Sequence, residues 1–305
     1  MGSVVGVGVT VGGVSRGPGP RCYGPNVRAP SLGRVVATHA ALVVVTVVTL
    51  LPILWVVRMA LAPSQGFSLG LGGGWTLDNF EAVVSTTSAD GSWLFGRQLF
   101  NSVVVGGATA AVGVGLACTA GYALSRWDFP GRQPLMGTFL LTQMFPGVVM
   151  AIPLYILLDV FHLLDSMAGL VLVYSTTSVP FATWNLKGYF DTIPKELEEA
   201  AMMDGASRWT TFWEIILPLA RPALAVTALF AFMTAWNEFI LAATLMGDER
   251  AYTLPVVLNG YVGEFGAEWG RFAAGALLVS LPVTLLFFAL QKQLVEGLTA
   301  GGVKG

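Results

Sequence analysis

Apolar residues run along this chain in long blocks and do not alternate with polar ones. Six blocks are long enough to cross a bilayer as helices of about 20 residues. They are Val35–Val57, Phe100–Leu124, Leu135–Phe161, Met167–Leu186, Ala223–Met246 and Phe272–Leu290. The short alternating segments of a membrane β-barrel are a different pattern. In hydrocarbon the backbone must satisfy its own polar groups, which a bundle of helices does. The pattern therefore predicts an all-α membrane protein with six transmembrane helices.

Composition supports this reading. Of 305 residues, 54% are hydrophobic and 11% charged. A soluble chain carries about a quarter charged residues, enough for a polar skin that this one lacks. The net charge of −2 argues against nucleic acid as a partner. Cys22 and Cys118, one in a tail and one in an apolar block, predict no disulfide, and His39 and His162 are too far apart for a metal site.

Lys and Arg set the orientation. With the N-terminus in the cytoplasm, 12 of the 16 fall on the inner side, so both termini are expected there. The outer loops lean acidic, with Asp78, Asp90, Asp165, Asp248 and Glu249 among their residues. The expected organisation is a disordered cytoplasmic tail (1–34), a first membrane helix with an outer loop (35–97), and a helical transmembrane domain (98–292). That domain contains an inner loop (188–221), and a cytoplasmic C-terminal tail (293–305) follows it.

Breakers and small residues modulate the blocks. Pro146, Pro153, Pro180 and Pro282 each remove a backbone donor and predict kinks. The second block holds the pairs Gly106/Ala110, Gly113/Ala117 and Ala117/Gly121, small-xxx-small steps that let helices approach closely.

The inner loop is the densest polar feature, and it contains no recognisable catalytic group. In "DTIPKELEEAAMMDGA" Pro194 suits a first helical turn, and Glu196, Glu198 and Glu199 suit the positive end of a helix dipole. Leu197, Ala200 and Ala201 form a small, smooth face. Gly205 is placed to end the helix in a left-handed cap and Ser207 to start another. In the second helix Trp209, Phe212, Trp213 and Ile216 recur at helical spacing, and Pro218 and Pro222 mark the turn into the next block. The product is a helix–turn–helix knob, either a docking element for a soluble partner or an interfacial helix. An interfacial helix would favour Lys and Arg on its polar face, where this one has acids.

Glu199-Ala200-Ala201, three residues, Gly205, nine residues, then Ile215-x-Leu217-Pro218 resembles the EAA loop of permease subunits of bacterial ABC importers. Further stretches resemble the maltose-type carbohydrate branch: "GYALSRWDFPGR" (with Gly121 where the family usually has alanine), "LLTQMFPGVVMAIPLY", "NLKGYFDTIPKELEEAA", "FMTAWNEFILA", "TLPVVL" and "GLTAGGVKG". The resemblance covers about Leu99 to Gly305 and implies a type I ABC importer permease fold. It implies that the EAA loop is a coupling helix docked in a cleft of an ATP-binding subunit dimer. Glu199 would be the charged anchor, Ala200 and Ala201 would allow close contact, Gly205 would set the turn, and Leu217 and Pro218 would fix the exit, with Asp204 and Ile215 also among the ATPase-coupling residues. Gly297, Leu298 and Thr299 of the tail would form a second contact. The implied partners are a second permease subunit, an extracytoplasmic sugar-binding protein and a sugar. The implied cofactors, ATP and Mg, belong to the partner ATPase. Most sugar contacts in the maltose branch lie on the sister permease. The outer loop from Gly247 to Gly270, with Tyr252, Tyr261, Phe265 and Trp269, corresponds to one that probes the binding protein.

None of the four lysines follows a Gly-rich phosphate loop, so no ATPase motif is present. "GVSRG", Gly13–Gly17, matches G-x-S-x-G only formally, because it lies in the expected tail without partners. Glu238 falls inside the fifth block, where a carboxylate is costly. It either lines a pathway or gate with Trp236 and Asn237, or is hydrated or tied to a neighbouring helix. Gln143 in the third block is a similar candidate. An ion-coupled secondary transporter is the alternative function, although no internal repeat supports it. A membrane enzyme would need a nucleophile–base set or a metal cluster that the helices lack.

Overall fold

The computed structural model describes residues 32–63, 74–263 and 266–302, with side chains of the last helix described as far as Gln293. The expected disordered tail (1–34) falls almost wholly outside these residues, as do Phe265 and the side chains of Leu298 and Thr299. The chain divides at Pro52 into two units. In the first, helix α1 (Leu32–Ala60) begins, and from Val36 to Pro52 every side chain is exposed. So apolar a surface requires hydrocarbon or an apolar protein surface as its neighbour.

The second unit holds the end of α1 and all later elements. These are α2 (Asp78–Val84), α3 (Leu94–Arg126), α4 (Arg132–Gln143), α5 (Gly147–Val160), α6 (Met167–Phe190), α7 (Glu196–Met203) and α8 (Arg208–Thr211). A π-helical turn (Phe212–Ile216) runs into α9 (Leu217–Leu219), followed by α10 (Arg221–Trp236), α11 (Ile240–Leu245) and α12 (Leu254–Gly260). A two-stranded hairpin, β1 (Val262–Gly263) and β2 (Gly266–Ala267), precedes α13 (Trp269–Gly302). Helix α13 continues through the residues expected to be the C-terminal tail as far as Gly302.

Helix α3 is the spine. It packs along α6 and against α10, which in turn meets α13. Small residues make the α3–α6 approach possible. A methyl group on Gly113 would stand 3.0 Å from the Ser178 hydroxyl, and one on Gly121 would stand 3.1 Å from the Lys187 backbone nitrogen. Of the small residues read from the sequence, Gly121 is where the backbones meet, while a methyl group on Gly106 would stand 2.9 Å from the Phe232 ring of α10. At 33 residues, α3 rises about 50 Å, more than the roughly 30 Å hydrocarbon core.

Two of the six predicted rods are broken. Leu135–Phe161 divides into α4 and α5, bent by 99°. Pro146 is extended at the break and has no N–H to continue the ladder. Pro153, Pro180 and Pro282 lie inside helices. Ala223–Met246 divides into α10 and α11 around Asn237–Phe239, and α10 meets the preceding α8–α9 segment at 75°. Among the described residues three helices are long and apolar enough to span a bilayer, or five if each bent pair is one span. Helix α6 has the length, at 24 residues, but carries the polar run Ser175-Thr176-Thr177-Ser178 at its centre.

At the end where α3 begins, amide side chains stitch the 247–254 segment to the spine. Gln98 donates to the Glu249 carbonyl (3.0 Å) and Asn101 to the Arg250 carbonyl (2.8 Å), while the Ser102 hydroxyl accepts from the Leu254 N–H (2.8 Å). Arg250 pairs with Asp90 at 2.6 Å. Hydrogen bonds from Ser92, with Arg250 adding to them, hold the Asp90 carboxyl below its ordinary value.

The glycine contacts predict an asymmetric response. Gly121→Val presses on backbone and is expected to cost about 1–3 kcal/mol. Gly107→Ala meets open space and is expected to be neutral. Thermal unfolding in detergent checks this, and equal melting of the two variants would contradict the packing.

Candidate functional site

The knob forms where the sequence places it, by local chemistry. Gly205 adopts φ +89°, and the Ala206 N–H returns to the Ala201 carbonyl at 3.0 Å, closing α7 in a left-handed cap. The Ser207 hydroxyl accepts from the Thr210 N–H at 3.1 Å and starts α8. The second helix is not a plain α-helix: after α8 it widens into the π-helical turn. Phe212 and Ile216 point inward to Phe190 and Leu186, while Trp209 and Trp213 are exposed. Ile215 and Leu217 lean half-buried on the same cluster, and Pro218 is half-buried beside them.

The faces of α7 differ from the sequence reading in two residues. Leu197 and Ala200 are exposed, but Ala201 is turned inward and buried, so the three do not share one face. Glu198, expected only to favour the helix dipole, is buried too. Its carboxylate accepts from the Arg126 guanidinium and, at 2.9 Å, from the Tyr122 hydroxyl. Arg126 also donates to the Phe190 carbonyl (2.9 Å), the Ile193 carbonyl (3.1 Å) and the Ser125 hydroxyl (3.0 Å). Ser125 donates to Asp191 at 2.7 Å, and Lys187 reaches the other Asp191 oxygen at 2.6 Å. Burial raises the Asp191 pKa, but the Lys187 and Ser125 hydrogen bonds outweigh it, so the carboxyl lies below its ordinary 3.8. The last turn of α3, the end of α6 and α7 thus share one charged network.

Outward on the knob stand Glu199, Ala200, Met203 and Asp204, alongside Leu197 and Met202, with Met203 88% exposed. Beside them lies a cleft of about 160 Å³ lined by Arg126, Trp127, Lys195, Glu199, Met202 and Arg208 among others. Arg208 stacks over the Trp127 ring at 5.8 Å.

The pathway candidates are scattered. Trp236 is 2% exposed and stacks on Phe232 at 5.2 Å inside the core. Asn237 is exposed and donates back to the Met233 carbonyl. Glu238 is tied at the helix break, where its oxygens accept from the Leu241 and Ala242 N–H groups (2.9 and 3.0 Å) and from the Tyr174 hydroxyl (2.9 Å). Gln143 stands apart from these three, at the end of α4, with its amide on the Thr177 carbonyl at 3.2 Å. Among the described residues no cluster of His, Cys, Asp or Glu could hold a metal.

Sequence spacing alone does not pair Arg126 with Glu198, 72 residues apart. The available signal was that Glu198 shares a helix face with Ala201, while Tyr122 and Arg126 share one on α3, four residues apart.

Residues 111–299 match the family of binding-protein-dependent transport system inner membrane components. The chain belongs to this family. It is 36% identical over 260 residues to the trehalose transport system permease SugB of Mycobacterium tuberculosis, covering 84% of this chain and 93% of that one. It is also 36% identical over 273 residues to the maltodextrin permease MdxG of Bacillus subtilis (88% and 96% covered). With the maltose/maltodextrin permease MalG of Salmonella typhimurium it shares 42% over 213 residues (68% and 72%). A bacterial ABC transporter that imports the acidic polysaccharide alginate shares the fold, with TM-score 0.70 at 22% identity over 87% of this chain and 98% of that one. The chain is therefore a permease of the sugar ABC transporter family with the type I importer fold. These relatives are transport permease subunits and not enzymes, and nothing in the comparisons favours an ion-coupled transporter.

Removing one partner of the buried ion pair strands the other. Arg126→Met is expected to destabilise the chain by about 3–5 kcal/mol. Arg126→Met with Glu198→Leu is expected to recover most of that loss, as read by thermal unfolding in detergent. No recovery in the double variant would show that Arg126 acts mainly through the Phe190 and Ile193 carbonyls.

Proposed function

We propose that this chain is one of two permease subunits of an ATP-driven importer for maltodextrin, trehalose or a related oligosaccharide in a bacterial cytoplasmic membrane. An ATPase dimer would bind the knob on the inner side, and an extracytoplasmic sugar-binding protein would dock outside. Six spans with both termini cytoplasmic fit the distribution of Lys and Arg. ATP and Mg act on the partner, and this chain supplies geometry alone.

The observation that carries this reading is the two-sided character of α7. One side is locked to α3 through Glu198 and Ala201, and the other presents Glu199, Ala200 and Asp204, which none of the described residues buries. A helix gripped from behind and bare in front suits the transmission of force. Glu199 supplies a charge for a basic residue in the ATPase groove, and Ala200 permits close approach. Gly205 sets the turn at a φ that side-chain-bearing residues rarely adopt. Gly297, Leu298 and Thr299 form a second contact with the ATPase. ATP binding favours one of two arrangements of the paired bundles, and the cavity between them faces alternate sides in turn.

Sugar uptake by proteoliposomes holding the whole importer tests the reading. Glu199→Lys is expected to lower uptake at least about tenfold, since a lost interfacial charge pair costs well over 1.4 kcal/mol. Its membrane insertion should be unchanged. Gly205→Trp is expected to lose the ATPase on purification while keeping the sister permease. Normal uptake by both variants would overturn the coupling role.

A further inference from the structure

The segment between α11 and α12, residues 247–253, is neither helix nor strand, and side-chain hydrogen bonds hold it on the outer end of α3. We infer that Gln98, Asn101 and Ser102 are positioning residues that make this segment, and α12 behind it, move as part of α3. They thereby place the outer surface on which the sugar-binding protein docks. This role rests on the importer reading, which supplies the docking partner.

A segment without a ladder of its own must find partners for its N–H and C=O groups elsewhere. Among the described residues, one backbone bond closes within 247–253, from the Ala251 N–H to the Asp248 carbonyl. Three of its carbonyls turn to α3 instead. Glu249 accepts from Gln98, and Arg250 and Tyr252 both accept from the Asn101 amide, at 2.8 and 3.2 Å. The Leu254 N–H that opens α12 donates to Ser102. Gln98, Asn101 and Ser102 stand at i, i+3 and i+4 on one face of α3, and are 2%, 3% and 3% exposed. Water does not reach such a face, so a bond broken there leaves a buried polar group unpaired at its full desolvation cost. The grip therefore persists while α3 moves.

The loop that leads into α3 adds a second grip. Ser88 donates to the Glu249 carboxylate at 2.8 Å, and Asp90 pairs with Arg250. A competing tie runs to the α5–α6 turn, where Asp165 accepts from the Gly247 and Asp248 N–H groups. Asp165, Gly247 and Asp248 are exposed, so water competes for those bonds, and the buried amides of α3 dominate. Helix α12 starts inside the clamp with Leu254 buried and ends with Asn259 and Gly260 exposed. What α3 fixes at the base of α12 is thus displayed at its tip. A partner that recognises one arrangement binds with an apparent affinity reduced by the fraction of molecules that hold it. The clamp keeps that fraction near one.

The test uses the intact importer (this chain, the sister permease and the ATPase) in proteoliposomes, with ATPase activity titrated by its binding protein loaded with maltotriose or trehalose. Asn101→Asp keeps the shape but sets an acceptor against two carbonyls. Gln98→Leu removes one donor and leaves both Asn101 bonds. Asn101→Asp is expected to raise the half-saturating concentration of binding protein about tenfold, and Gln98→Leu about threefold, with the maximal rate kept. Spin labels at Val103 on α3 and Asn259 on α12, both exposed, are expected to give one narrow distance in the unmodified importer and a broad one in Asn101→Asp. Half-saturation within about twofold of wild type in both variants, or a broad distance without any substitution, would overturn the positioning role and leave the importer reading intact. A lowered maximal rate at unchanged half-saturation would also overturn it. So would loss of the sister permease or the ATPase from both purified variants, by making the clamp a folding element. An unmodified importer whose ATPase the loaded binding protein does not stimulate would overturn the importer reading itself.

Discussion

An arginine at the end of α3 fixes where the knob stands. Arg126 carries a guanidinium with five N–H donors, and 6% of its side-chain surface is exposed. It must therefore be satisfied on all sides. Glu198, two backbone carbonyls and Ser125 do so, and each lies on a different segment. The arrangement draws the end of α6, the 191–193 turn and α7 onto the last turn of α3. Without it α7 would have Ala201 as its one buried apolar anchor on the bundle. The network stabilises less than its many bonds suggest, because desolvating the charges costs nearly as much as pairing them gains. Its value is in position: a buried ion pair tolerates little displacement.

The same logic runs along the spine. Gly121 brings the α6 backbone onto α3, with Gly113 making room for the Ser178 side chain, and that contact sets where Phe190 and Ile193 offer their carbonyls to Arg126. At the other end Gln98, Asn101 and Ser102 hold the 247–254 segment on α3. One helix thus carries both polar ends of the molecule. In the proposed cycle, motion imposed at the knob reaches the opposite end through a single rod of 33 residues.

Local chemistry was legible in the sequence, and long-range partnership was not. Gly205 as a left-handed cap, Ser207 as a helix start and the small-residue face of α3 each depend on a few neighbouring residues, and each stands as read. The break at Met144–Pro146 reads as a kink, because the apolar block continues on both sides of it and apolarity does not reveal direction. Glu238 was read with two outcomes open. Two of its partners, the Leu241 and Ala242 N–H groups, are local, but the third, Tyr174, lies 64 residues away, and no spacing rule reaches that far. Glu198 was hidden for a similar reason: three acids within four residues look alike until the fold turns one of them inward.

The most direct measurement is the distance between spin labels at Met203 on α7 and Phe129 beyond the end of α3, taken in the assembled importer with and without ATP. If the buried pair makes the knob a rigid extension of α3, the distance distribution stays the same in both states while labels across the two permeases move. A distance that changes with ATP would mean that α7 swings free of α3, and the rigid link would be wrong.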